Sequence, residues 1–341
     1  MSEHGTLLIT VLLMTAVGLI FWPQRGCIWY LQRVRRTVER ILIEDALKHF
    51  YNFEYRRQVV TVESLAGSLE ISRNRAVELL VRTQTLGLVQ SGEGRPRLTP
   101  EGRNYALRVI RVHRLWEHHL AEETGTAASE WHSSAEFREH DITESEADHL
   151  AEQMGDPAFD PHGDPIPTST GDIAPRRGQP LNALTVGELA TIVHIEDEPE
   201  TIYAQLVADR IHLGIRVEVS EISPERIRLW ADGEECVLAP VVAANVFVDP
   251  LPRDQEMEGP FETLTSLSAG ERGKVLLISG ACRGLERRRL MDLGILPGTV
   301  IESEMMSPSG DPTAYRVRGA LIALRKEQAS QIRIEKLVEV T

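Results

Sequence analysis

At 341 residues, with 42% hydrophobic and 26% charged side chains, the chain has an ordinary folded-domain composition and enough length for two to four domains. A formal net charge of −14 excludes wholesale coating by nucleic acid, because a uniformly acidic surface repels phosphate. Cys27, Cys236 and Cys282 are scattered without a CxxC pair, which excludes a disulfide framework or zinc knuckle and suits a reducing compartment.

Thr6 to Trp22 (TLLITVLLMTAVGLIFW) is uncharged and apolar. Its length of roughly 17 residues sits at the lower limit for a spanning helix. Trp22, Trp29 and Tyr30 suit an interfacial belt, and Arg25, Arg33, Arg35, Arg36 and Arg40 behind them place the rest of the chain inside. A cleaved signal peptide fits less well, since MSEHG carries no Lys or Arg and no A-x-A site follows. Residues 1–30 are therefore expected to be a single-pass anchor in the cell membrane, with the bulk of the chain cytoplasmic. A buried or partner-packed helix is the alternative.

From Leu31 to Leu115 the charge reverses, with 16 Lys/Arg against 9 Asp/Glu. Val34, Val38, Ile41, Leu42, Leu47 and Phe50 recur near the 3.6-residue helical period. Next, Val62 and Leu65 to Leu69 predict a short helix, Ser72 an N-cap, and Arg73 to Leu86 a second helix stopped by Gly87. LVQS and RPRLT predict two strands around Gly92-Glu93-Gly94. Helix, turn, helix and hairpin make a winged helix, which puts its second helix in the DNA major groove. Ser72, Arg73, Asn74 and Arg75 then face base edges, and Arg95 and Arg97 on the wing reach phosphates. A winged helix kept only for protein packing is the blander alternative.

A long helix from Pro100 through Leu120 follows, carrying His113 and Glu117; a second holds His132 to His140, and Thr143 caps a third. His113 and Glu117 share one helical face, as do Glu136, Glu139 and His140. Imidazole nitrogens with carboxylate oxygens suit divalent Mn, Fe, Co, Ni or Zn, and the lack of sulfur argues against a soft metal. Two solvated amphipathic helices are the plain alternative. Asp160 to Pro167 (DPHGDPIP) then opens a Pro/Gly-rich linker running to about Pro180.

The order of these parts resembles the DtxR/MntR family of metal-dependent repressors over residues 36 to 250. The likeness rests on HRLWE, on H-x3-E-x2-EH at His132 to His140, and on Gly163 to Pro167 behind a winged helix. It implies a primary metal site of Asp45, Glu136, Glu139 and His140 and an ancillary site of His113, Glu117 and His132. Asp45 and Glu136 place the chain nearer the manganese-sensing pattern. Lys48, one turn after Asp45, departs from it where the manganese regulator offers an acid, which puts a binuclear primary site in doubt. Glu198 or Glu200 are candidates for a further ancillary ligand, and His118, His119 and His149 are read as surface histidines.

The second half holds an internal repeat. Leu181 to Glu188 (LNALTVGE) recurs as Leu264 to Glu271 (LTSLSAGE), each copy leading into a β-type run, an Arg/Leu-rich helical turn and an LGI turn. Short strands broken by Gly and Pro suggest small barrels. The second copy resembles FeoA, the SH3-like protein of ferrous-iron uptake, through ISGACRGLERRRLMDLGILPGTVIE and VRGALIALRKEQASQIRIE.

The expected architecture is α+β and multi-domain: an anchor (1–30), a winged helix-turn-helix (31–105), a helical metal-binding and dimerisation domain (106–162), a linker (163–180), an SH3-like small β-barrel (181–251), an acidic linker (252–261) and a second, FeoA-like barrel (262–341). The expected function is Mn2+- or Fe2+-dependent transcriptional regulation, with other divalent transition metals binding in vitro. Expected partners are operator DNA, a second copy in a homodimer, the membrane through the N-terminal helix, and a ferrous-iron transporter through the FeoA-like domain. The alternative is a membrane-anchored FeoA-type accessory of iron transport acting through protein contacts. No nucleophile–base pair, phosphate loop, dinucleotide fingerprint or HExxH supports catalysis.

Overall fold

The computed structural model describes residues 27–92, 95–231, 234–252 and 262–337, with side chains from residue 37 onward. They form two compact units, divided between Ile110 and Arg111.

The first unit opens with α1 (Cys27–Tyr55), followed by α2 (Val62–Ser68), α3 (Arg73–Thr85), the hairpin β1 (Val89–Gly92) and β2 (Arg95–Leu98), and the start of α4 (Pro100–Glu123). The helix starts have local causes. Thr61 and Ser64 form a reciprocal capping box on α2, and the Ser72 hydroxyl accepts the Arg75 N–H at 3.3 Å on α3. Gly87, at φ +73°, turns the chain out of α3. Leu47, Phe50, Leu65, Ala76, Leu79, Val89, Leu98 and Ala106 are buried in the core between these elements. Glu54 ties the hairpin to α1 by accepting the Leu98 N–H at 2.8 Å, and it also pairs with Arg103.

The expected membrane placement is corrected here. The apolar run Thr6 to Trp22 lies outside the described residues. Among the described residues no helix is long and apolar enough to cross a membrane. The 29-residue α1 carries Arg33, Arg35, Arg36, Glu39, Arg40, Glu44, Asp45 and Lys48, charges too costly for a hydrocarbon core.

In the second unit α4 continues beside α5 (Trp131–Glu139) and α6 (Glu144–Gln153), which Thr143 starts with a second capping box. Val112, Leu115, Ala147, Ala151 and Ile166 pack between them. Two six-stranded antiparallel sheets follow. The first contains β3 (Gln179–Pro180), β4 (Leu189–Ile195), β5 (Arg216–Ile222), β6 (Ile227–Ala231), β7 (Glu234–Leu238) and β8 (Val246–Pro250), with α7 (Glu200–Ala208) and α8 (Pro240–Ala243) inserted. The second contains β9 (Glu262–Thr263), β10 (Arg272–Ile278), β11 (Val300–Met306), β12 (Thr313–Val317), β13 (Ala320–Leu324) and β14 (Ile332–Leu337), with α9 (Gly284–Asp292) and α10 (Lys326–Ser330).

The sequence repeat is also a repeat of topology. The strand orders β7-β6-β5-β4-β8-β3 and β13-β12-β11-β10-β14-β9 are the same order within each copy. The register shifts match as well, at Ile192/His194 and Val275/Leu277, and again at Val219/Glu221 and Ser303/Met305. Each module has its own buried core, centred on Ile192, Val217 and Leu229 in the first and on Val275, Ile301 and Tyr315 in the second.

Candidate metal centre

Three elements of the second unit converge on one cluster. α4 sets His113 and Glu117 one turn apart, with His113 Nε2 3.1 Å from Glu117 Oε1. α5 presents His132 from its first turn, where the Trp131 indole N–H fixes the helix start by donating to the Thr126 carbonyl at 3.0 Å. Asp197 follows the end of β4. Its neighbour Glu196 is held by Arg176 at 2.7 Å and by its own N–H, which donates to the Asn245 carbonyl.

His132 Nδ1 lies 2.8 Å from Asp197 Oδ2 and 3.3 Å from Glu117 Oε1, but neither approach has hydrogen-bond geometry. One ligand-type atom from each of His113, Glu117, His132 and Asp197 lies within 4.8 Å of every other. The buried His162 backs this group, packed between Trp131 and Tyr203, with Nε2 3.8 Å from Glu117 Oε1. Neither His162 ring nitrogen has a hydrogen-bond partner among the described residues.

Burial alone would push the Glu117 and Asp197 carboxyls up. The neighbouring imidazoles of His113, His132 and His162 instead hold both well below the usual carboxylate range. Burial would lower His132, but Asp197, Glu117 and Glu136 raise it strongly. Unsatisfied imidazole nitrogens facing ionised carboxylates are a donor set that fits a divalent cation of the Mn, Fe or Zn type.

His113 also reaches away from the cluster, with Nδ1 2.5 Å from Glu139 Oε2. A carboxylate on the far ring nitrogen fixes the tautomer and orientation of a ligand histidine. Glu139 Oε1 in turn lies 3.4 Å from His140 Nε2. Of the expected primary set, Glu139 and His140 therefore sit together. Glu136 is exposed and lies 3.6 Å from His132, and Asp45 is half-buried on α1 in the first unit, one turn before the half-buried Lys48.

Of the expected ancillary set, His113, Glu117 and His132 are brought together, and Asp197 and His162 join them. Sequence reasoning missed both additions. Glu198 and Glu200 bracket the right turn, but Glu198 stays at the rim, 3.7 Å from His132, and Glu200 is exposed at the start of α7. Of the three expected surface histidines, His149 is exposed. His118 and His119 are half-buried, the first with an unpartnered Nδ1 and a pKa lowered by burial.

In the first unit Ser72, Arg73 and Asn74 are exposed at the start of α3, and Arg95 and Arg97 are exposed on β2. Arg73 pairs with Glu63 at 2.9 Å, and the half-buried Arg75 pairs with Glu78 at 3.0 Å and Glu39 at 3.4 Å.

Residues 99–168 match the iron dependent repressor metal binding and dimerisation domain, and residues 262–336 match the FeoA domain. The chain is 32% identical over 125 residues to the diphtheria toxin repressor of Corynebacterium glutamicum, covering 36% of this chain and 55% of that protein. It is 37% identical over 84 residues to a probable metal transport system membrane protein of Chlamydia trachomatis, covering 25% of this chain and 19% of that one. The chain thus spans about a fifth to about half of the length of these curated relatives. A solved manganese-dependent transcriptional repressor in complex with manganese superposes with a TM-score of 0.56 at 28% identity, covering 61% of this chain and 99% of that one. This chain therefore carries a metal-binding and dimerisation domain of the iron-dependent repressor family and, after it, a FeoA domain.

Proposed function

We propose that this chain is a Mn2+- or Fe2+-responsive transcriptional regulator that binds operator DNA as a homodimer. The observation that carries the reading is the convergence of His113, Glu117, His132 and Asp197 on one point, where His132 Nδ1 finds no hydrogen-bond partner among the described residues. His113, Glu117, His132 and Asp197 would hold a divalent ion, which would supply positive charge to the two carboxylates in place of the neighbouring imidazoles. The Glu139 carboxylate then orients His113. Because Glu139 also lies beside His140 of the expected primary set, occupancy of the two sites would be linked through that one side chain.

The first unit supplies the DNA-binding part. α2, α3 and the β1–β2 hairpin are read as a winged helix, with Arg73 and Asn74 for base edges and Arg95 and Arg97 for phosphates. Arg75 is committed to Glu39 and Glu78 and orients α3. Metal binding would fix the spacing of two recognition helices on half-sites about one DNA turn apart. The FeoA domain favours one second reading, an accessory of ferrous-iron transport working through protein contacts. Both sheet modules are read as SH3-like small barrels.

Fluorescence anisotropy with genomic DNA fragments, with Mn(II) or with chelator, tests the leading reading. Mn(II) should tighten binding at least about tenfold, a coupling of roughly 1.4 kcal/mol. Glu139→Gln should abolish the gain. Equal affinity with metal and with chelator discards the switch, and capture of iron-transporter cytoplasmic domains in its place favours the second reading.

A further inference from the structure

The FeoA domain is seated against two other parts of its own unit. The N-terminus of α9 meets the C-terminus of α4: the Leu285 N–H points at the Thr124 carbonyl at 3.5 Å, so the partly positive start of α9 faces the partly negative end of α4. Arg283 pairs with Glu122 at 3.1 Å and Arg288 with Glu123 at 2.5 Å. At the centre of this contact stands Gly284, at φ +54°. A Cβ there would lie 2.3 Å from the Thr124 carbonyl oxygen and 3.0 Å from that of Ala121, both backbone atoms of α4 and its end. Absence of a side chain is thus what admits the close approach.

From the same loop, the domain also touches the first sheet module. Ser279 Oγ lies 3.4 Å from His212 Nε2, and Gly280 packs on the same ring. These contacts fall on segments that adjoin, along the chain, both halves of the metal centre. Glu122 and Thr124 follow Glu117 along α4 and its end, and Thr126 holds Trp131 next to His132. His212 follows α7, the helix that begins after Asp197.

We propose that the FeoA domain is an intramolecular brace: by pinning the end of α4 and the His212 turn at once, it holds Asp197 in register with His113, Glu117 and His132 and so sets the affinity of that centre for a divalent ion. The proposal rests on the metal reading above. It gives the α9 face of the FeoA domain an occupant within the chain.

The test uses the full chain and two disruptions. Gly284→Asn keeps a residue that tolerates positive φ but adds the obstructing Cβ. Arg283→Glu reverses one pair, and adding Glu122→Arg restores it with opposite polarity. Hydrogen exchange over 118–126 and 279–288 reads release of the domain, and calorimetric Mn(II) titration reads the centre. Both disruptions should speed exchange on both faces and weaken Mn(II) binding roughly 3- to 30-fold, the range for coupling through packed networks. The charge swap should recover most of that loss. Faster exchange with Mn(II) affinity within twofold of wild type overturns the brace, and so does unchanged exchange in Gly284→Asn. A wild-type chain that binds no Mn(II) sinks the metal reading instead. The brace is then decided by exchange over 131–139, faster on release if it holds and unchanged if it does not.

Discussion

Asp197 and Glu198 are chain neighbours with the same chemistry, yet Asp197 turns its carboxylate into the cluster, 2.8 Å from His132, while Glu198 keeps 62% of its side chain exposed. Helical period alone places Glu117 beneath His113, so that pair is legible in the sequence. Which of Asp197, Glu198 and Glu200 comes inward depends on where β4 ends and on Arg176 holding Glu196, and no local pattern encodes either. His162 was hidden for the same reason, since it sits in a Pro/Gly turn and meets Glu117 only through the tertiary fold. Asp197→Asn should weaken Mn(II) binding by at least the roughly tenfold that loss of a mere orienting partner costs, and Glu200→Gln should leave it within about twofold, by calorimetric titration.

His49 carries a separate residue-scale prediction. It is buried on α1, with Nε2 3.1 Å from Ser64 Oγ, and burial pushes its imidazole from 6.5 down to about 4. The unfolded chain takes up this proton below about pH 6.5 and the folded chain only near pH 4, so the stability it contributes is whole above 6.5 and lost as pH falls between the two. Urea unfolding at pH 7.5 and 5.0 should show wild type losing roughly 1–2 kcal/mol more than His49→Gln. Equal losses in the two proteins would show that His49 does not titrate this way.

At the scale of elements, the helices were legible because their ends are chemically marked. Ser72 and Thr143 cap where the sequence places them, and Gly87 ends α3 through positive φ. Ser72→Ala should cost about 1 kcal/mol in thermal or urea unfolding, the usual loss of a capping hydroxyl. The LxxLxxGE repeat was equally visible, while its strand order was not, because pairing β4 with β8 and β10 with β14 spans a whole module in each copy. Gly102 shows a constraint of that long-range kind. A Cβ there would sit 1.9 Å from the Leu88 carbonyl oxygen, so α4 can cross behind the hairpin only at a glycine. Gly102→Ala should destabilise the chain by more than about 2 kcal/mol, and an unfolding midpoint within error of wild type would contradict that packing.

On the scale of the whole molecule, charge is unevenly divided. The stretch from Leu31 to Leu115 is basic within a chain of net charge −14. The second unit concentrates buried acids and imidazoles around α4 and α5, and the two modules of one topology follow. The membrane expectation rested on an apolar run beyond the described residues, and the charged α1 behind it does not continue such a span. The proposed function turns on one cation bound where α4, α5 and the end of β4 meet. Crystals grown with Mn(II), measured at the manganese absorption edge, test that most directly. An anomalous peak in coordination contact with His113, Glu117, His132 and Asp197 is the expected result. Manganese found only on surface carboxylates, with that cluster empty, would contradict it.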